Sequence, residues 1–200
     1  IGQGDMTVLL IDLNGLNGRG DLLDQPHLAW HLSGGTTELL LVTPDGKNVN
    51  CTRIGGTTDI SAGQLIDRTG QLLNLPFPSG KYLDALSAQA VRDDVFFVKC
   101  DNMEFSFSGV QNKVQQYHSA HKEPAETAAY AMRCICNGII RATKQAMDAY
   151  PDLPVVFSGG VASNSMLRKL CQPFNPIFAQ PQYSTDNALG VAVLAYRTQE

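Results

Sequence analysis

Two glycine turns constrain this chain more than anything else in it: Leu32-Ser33-Gly34-Gly35-Thr36-Thr37 and Phe157-Ser158-Gly159-Gly160-Val161-Ala162-Ser163-Asn164. Each is preceded by a run of strand-forming residues. A Gly-Gly turn after a strand lets the main chain approach a ligand with no Cβ in the way, and its N–H groups can form a concave site for anionic oxygen. The second turn leads into a helical stretch, Asn164 to Leu170, whose N-terminus is expected to add dipole and free donors. Together the turns point to a nucleotide.

The residues between and around them alternate strand and helix patterns. His27 to Leu32, Leu39 to Thr43 and Val49 to Ile54 read as an antiparallel meander, the last two strands joined at Pro44-Asp45-Gly46-Lys47. Ile60, Leu65, Ile66, Thr69, Leu72 and Leu73 then recur at helical spacing, so a helix is expected over Thr58 to Leu75, stopped by Pro76 and Pro78. A shorter helix is expected over Lys81 to Val91, a short strand over Val95 to Val98, and a helix over Val110 to His118 with Ser108 near its cap. Pro124 opens the longest helix, with Ala128, Met132, Ile135, Ile139, Ala142, Ala146 and Met147 as its buried stripe out to Tyr150. Val155 to Phe157 and Ile177 to Ala179 read as strands, Ser165 to Leu170 and Asp186 to Thr198 as helices. The segment from Ile1 to Asp24 offers only Val8 to Ile11 as an apolar piece, followed by a loop rich in Gly and Asn.

Composition narrows the function. At 200 residues, 44% hydrophobic and 17% charged, the chain can bury a good core. A formal charge of −4 excludes broad electrostatic binding of nucleic acid, which needs clustered cations; an RNA would be held locally or through a partner. No apolar run reaches the ~18 residues of a membrane span and no secretion signal is evident, which leaves the cytoplasm as the expected compartment. The five cysteines are odd in number and lack C-x-x-C spacing, so they read as reduced thiols.

Other residues carry competing readings. Asn164 offers both a donor and an acceptor to a base or ribose. Asp186 can cap the final helix or ligate a metal through oxygen. Asp59 and Asp67 lie a little over two helical turns apart and can share one side of a helix. Gly63, between them, costs that helix roughly 1 kcal/mol relative to Ala, a cost that suggests close approach of a ligand or another backbone. His27 and His31 spell H-x-x-x-H on a strand, without the glutamate of a zinc-protease helix, and His118 and His121 read as solvent-exposed flanks of a loop. No G-x-S-x-G or Walker A sequence is present.

The glycine turns, Asp59 to Asp67 with Gly63, Leu75-Pro76-Phe77-Pro78-Ser79-Gly80, Phe105-Ser106-Phe107-Ser108-Gly109 and Ser184-Thr185-Asp186-Asn187-Ala188 together resemble the TsaD/glycoprotease family. Its members include tRNA threonylcarbamoyladenosine transferases, long called O-sialoglycoprotein endopeptidases. The resemblance runs from Pro26 to the C-terminus. It implies an α/β fold of the actin-like ATPase (ASKHA, ribonuclease H-like) kind, a mixed sheet with a three-stranded meander flanked by helices. Residues 1–25 would be a remnant or loop-rich segment, and 26–200 the C-terminal lobe with a helical insertion over about 59–150. It further implies that an adenine nucleotide, ATP or threonylcarbamoyl-AMP, binds at His31, Leu32, Ser33, Gly34, Gly35, Asp67, Gly80, Gly159, Gly160 and Asn164. Asp186 would be a ligand to a divalent metal, iron or zinc. The implied partners are an N-terminal lobe or a TsaB-like subunit, with tRNA held only indirectly, no membrane, and a homodimer as a further arrangement.

Several residues depart from that family's pattern. Its two metal-binding histidines come from an H-x-E-G-H segment, for which the nearest counterpart is Ile1-Gly2-Gln3-Gly4-Asp5. Thr36, Ile60, Gln64 and Gln111 stand where the family carries a histidine, an aspartate, a glutamate and a lysine. The expectation is therefore a nucleotide-binding relative of the transferases whose catalysis is altered or lost. The alternatives are a non-enzymatic nucleotide-binding or scaffold paralogue, a small-molecule kinase, and a glycoprotease.

Overall fold

A computed structural model describes Leu22, residues 24–46 and residues 48–179. A mixed seven-stranded sheet runs through them. Its strands are β1 His27–Leu32, β2 Thr37–Asp45, β3 Asn48–Thr57, β4 Cys100–Asp101, β5 Glu104–Phe105, β6 Val155–Ser158 and β7 Ile177–Phe178, in the spatial order β4-β5-β3-β2-β1-β6-β7. The meander β1-β2-β3 is antiparallel, whereas β6 pairs parallel with β1 from Leu28↔Val155 to His31↔Ser158. The helices are α1 Ala62–Leu72, α2 Gly80–Ser87, α3 Ser108–His121, α4 Pro124–Ala149 and α5 Ser165–Cys171. Four of these helices and the β4-β5 pair fill the stretch between β3 and β6.

Alternation along β1 divides the molecule. Leu28, Trp30 and Leu32 face the main core with Phe105, Phe107, Phe157 and the stripe of α4, while Ala29 joins Leu22, Leu40, Val42, Val49, Cys51 and Val156 on the other face. On α4, Met132, Ile135 and Ile139 are fully buried, each side chain contributing about 1.5–3 kcal/mol through burial. One polar pin crosses this core: the Trp30 indole N–H donates to Thr143 Oγ1 at 2.9 Å, so the buried indole keeps a partner. Among the described residues no helix is long and apolar enough to cross a membrane.

Some expectations change. Val95 to Val98 is not a strand. Residues 91–99 instead form a strap along α4 that leads into β4, and α4 side chains take N–H groups of the strap and of the β4-β5 turn. Val91 N donates to Glu126, Phe96 N to Cys134 Sγ, Val98 N to Asn137 and Met103 N to Gln145. The first helix begins at Ala62 rather than Thr58, because Ser61 and Gln64 form a capping box. Asp59 therefore lies outside that helix and does not share a helix side with Asp67. α2 ends at Ser87, short of Val91. His118 and His121 are half-buried in the last turn of α3, not exposed: His118 Nδ1 lies 3.1 Å from Thr127 Oγ1, and the His121 ring packs on Tyr117 at 4.1 Å. Lys47, Val8 to Ile11, the segment 1–21 and the helix expected over Asp186 to Thr198 lie outside the described residues.

Candidate functional site

Because β1 and β6 are parallel neighbours, the turns that follow them emerge side by side at the same edge of the sheet. This is where open α/β sheets place ligands. A cleft of about 530 Å³ opens there, with Gly34 from the first turn and Gly160, Val161, Ser163 and Asn164 from the second in its wall. α1 contributes Gly63, Ile66 and Asp67, the loop before α2 contributes Pro78, and α2 itself Gly80, Lys81 and Asp84.

The backbone of the cleft is held tightly. Gly159 sits at φ +87° with its Cα against β1, where a Cβ would lie 2.3 Å from the Leu32 carbonyl oxygen. Gly63 answers the question raised by its place in a helix: a Cβ there would lie 2.5 Å from Gly34 Cα, so the close approach is to the first turn's own backbone. Ser61 Oγ donates to the Gly34 carbonyl at 2.6 Å, and Ser33 Oγ accepts from Thr36 N at 3.0 Å. By contrast, a Cβ on Gly34, Gly80 or Gly160 would meet nothing within 4 Å. The N–H groups of Gly34 and Gly35 have no acceptor among the described residues.

The carboxylates are unequal. Asp67 Oδ1 accepts from Ser79 N at 2.8 Å, and its second oxygen is open among the described residues. Asp84 accepts from Ser165 Oγ at 2.7 Å, from Ser165 N and from Asn164 Nδ2 at 2.8 Å. Asn164 Oδ1 in turn caps α5 by accepting from Leu167 N at 3.0 Å. The Ser165 and Leu167 N–H groups expected to be free at the start of this helix are thus already engaged, with negative charge in place. Asn164 lines the cleft with its amide committed at both ends.

Not every expected residue reaches the cleft. Leu32 is fully buried in the core, and His31 lies beneath the turn on the other face of the sheet with its Nδ1 unpartnered; burial pushes its pKa down to about 4. Gly35 is exposed beside the cleft, and Asp186 lies outside the described residues. His27 is four residues from His31 along a strand, about 13 Å at ~3.3 Å per residue, too far for a shared ion. Among the described residues no group of three or more His, Cys, Asp or Glu could hold a metal ion, so they do not offer iron or zinc a donor set. All five cysteines are buried and none forms a disulfide among the described residues; burial pushes Cys134 up to about 11 and Cys171 up to about 12, which keeps those two as thiols.

Sequence reasoning missed Lys81 and Asp84 in the cleft wall. The signal was the four-residue spacing from Gly80, which puts Asp84 one helical turn along from the glycine.

The model of a family described as TsaD, tRNA N6-adenosine threonylcarbamoyltransferase, matches residues 10–193. A tRNA N6-adenosine threonylcarbamoyltransferase of Streptococcus suis is 34% identical over 158 residues, covering 74% of this chain and 46% of that protein. One of Carboxydothermus hydrogenoformans is 31% identical over 182 residues, covering 86% and 54%. The chain thus spans about half the length of the curated relatives it matches. Among solved structures, full-length HypF in its phosphate- and nucleotide-bound form superposes with a TM-score of 0.75 at 13% identity, covering 97% of this chain and 35% of HypF. The Clostridium difficile activator of 2-hydroxyisocaproyl-CoA dehydratase with bound ADPNP gives 0.58 at 14%, covering 98% and 67%. At such identities the likeness is one of fold, the actin-like ATPase fold expected from the sequence.

Proposed function

The chain belongs to the TsaD family, and from that premise we propose that its cleft is the adenine-nucleotide half of a tRNA N6-adenosine threonylcarbamoyl-transfer site, taking ATP or threonylcarbamoyl-AMP. The observation that carries this reading is the meeting of two glycine turns, distant in sequence, with Asp67, Gly80 and Asn164 around one cleft. The free N–H groups of Gly34 and Gly35 receive phosphate oxygens, with Gly160 opposite them. The open oxygen of Asp67 accepts from a ribose hydroxyl, and the bare Cα of Gly80 leaves room for the nucleoside. Asn164, fixed by Asp84, shapes the wall against which the nucleotide rests.

Turnover is not expected from this chain alone. The remaining contacts come from an N-terminal lobe or a TsaB-like subunit, which also brings the tRNA, and catalysis needs the reactants held in a single geometry. No step here is assigned to a metal, since the described residues do not form a site for one.

Titration calorimetry with ATP and with AMP tests the reading. Gly80→Val places a side chain in the cleft without touching the core, so it is expected to weaken ATP binding at least tenfold while the unfolding free energy in urea stays within about 0.5 kcal/mol of the wild type. Absence of heat with either nucleotide in the wild type would overturn the reading and leave a scaffold without a nucleotide.

A further inference from the structure

We infer that Arg168 is a positioning residue for the second glycine turn, a clamp that sets the nucleotide affinity of a cleft it does not itself line. The inference rests on the nucleotide reading of the cleft and adds to it the group that holds one wall in place.

Arg168 lies in α5 with its side chain half-buried, and its guanidinium joins the backbone on either side of that helix. Nε donates to the Ala162 carbonyl at 3.0 Å and Nη2 to the Ala179 carbonyl at 2.8 Å. Ala162 belongs to the short 3₁₀ turn Gly160–Ser163, in which Gly160, Val161 and Ser163 line the cleft. Ala179 follows β7, and its own N–H donates to the Phe157 carbonyl of β6 at 2.9 Å. The Phe178 ring centroid lies 4.7 Å from the guanidinium carbon, and the ring stacks on Phe157 with centroids 4.9 Å apart. One side chain thus fastens the cleft's turn to the last two strands of the sheet.

The choice of residue marks this as more than packing. Among the described residues no carboxylate lies within ion-pair distance of Arg168, and burial draws its pKa below the usual guanidinium value. A charge partly withdrawn from water, with carbonyl dipoles and a ring face for partners, is a cost that an apolar side chain would avoid. What the guanidinium supplies, and an ammonium does not, is a rigid planar fork with donors at fixed angles. The turn has need of one. Its own bonds are of the short i→i+3 kind, Ala162 N to the Gly159 carbonyl at 3.0 Å and Asn164 N to the Val161 carbonyl at 3.1 Å, whose geometry is poorer than that of an α-helix. The first turn is held in the corresponding way by Ser61, whose hydroxyl donates to the Gly34 carbonyl. Arg168 is its counterpart on the second.

Calorimetry with ATP and with AMP, read beside hydrogen exchange of the turn amides, tests the clamp. Arg168→Lys keeps the charge and loses the fork. A released turn that spends about a tenth of its time in the binding conformation lowers both affinities about tenfold. Exchange over residues 159–164 is expected to quicken in the same variant while that of α4 keeps the wild-type rate. The titrations are run where urea unfolding shows the variant fully folded, so a loss of stability alone does not register in them. Should Arg168→Lys fail to fold, Phe178→Leu, which withdraws the ring from the guanidinium and leaves both carbonyls, carries the same test, with a smaller loss for ATP and AMP alike. Unchanged affinities in a folded variant overturn the inference. So does a loss confined to ATP, which would make Arg168 a ligand of the outer phosphates. A wild type that takes neither nucleotide removes the nucleotide reading; quickened exchange in Arg168→Lys then upholds the clamp by itself, and unchanged exchange overturns it as well.

Discussion

The starts of α3 and α5 meet the same need in the same way, and they differ in what lies beside them. At α3 the Asp59 carboxylate, from the loop before α1, accepts from Phe107 N at 2.8 Å, from Ser108 N and from the Ser106 hydroxyl. At α5 the Asp84 carboxylate, from α2, accepts from Ser165 N and Oγ and from Asn164. Each joins a helix N-terminus to an element distant in sequence, as the positive end of a helix favours. Asp59 stands away from the cleft and serves stability. Asp84 stands in the cleft wall and, by occupying the α5 start, leaves the backbone donors of Gly34 and Gly35 as the open ones beside the cleft.

Substitutions can break this comparison. The largest expected effect is that of Gly159→Val, which puts a Cβ onto the Leu32 carbonyl at a φ that L side chains rarely adopt; a loss of about 4 kcal/mol or more is expected in urea unfolding. A wild-type midpoint would show that the α5 start does not depend on the turn before it. Asp59→Ala follows, at about 2 kcal/mol, because it removes a charged acceptor from several donors at once.

That second loss should depend on pH in a defined direction. Burial alone would raise the Asp59 carboxyl, but the hydroxyls of Ser106 and Ser108 and the N–H groups of Phe107 and Ser108 outweigh it and hold it well below the usual carboxylate range. A depressed folded-state value gives stability that is fully present above the unfolded value near 4 and is lost as pH falls toward the folded one. The gap between wild type and Asp59→Ala is thus expected to be constant from pH 7 to about 5 and to narrow below 4. Asp84→Ala is expected to cost least, about 1 kcal/mol, since Asn164 still caps α5. A cost greater than that of Asp59→Ala would reverse the ranking of the two junctions.

The parts of this architecture that were legible in the sequence are those with a clear period. The meander and the α4 stripe follow from alternation or 3.6-residue spacing, the β6 strand from a short apolar run bounded by Pro154 and a glycine turn, and the meeting of the turns follows once β6 is placed beside β1. What escaped lacks a period. β4 and β5 have two residues each, and the strap's Val95-Phe96-Phe97-Val98 has the composition of a strand while its donors turn to helix side chains. Asp59 was drawn into a helix because Ile60 extends the apolar spacing backwards; Ser61 and Gln64 carried the contrary signal. Asp84 and Lys81 look like ordinary helix-surface charges until α5 is folded against α2. Asn164 was legible as a polar group at the cleft, but its amide's two internal partners depend on tertiary contacts that no local pattern encodes.

The strap along α4 has an evolutionary consequence. Its main chain is read by Glu126, Cys134 and Asn137, and the β4-β5 turn it leads into by Gln145, side chains spaced eight, three and eight positions apart, so polar identity on that side of the helix is tied to the path of a segment that has no ladder of its own before β4. Orthologues that shorten or reroute this stretch should exchange these side chains together, and lineages that keep its length should preserve them even while the solvent-facing residues drift.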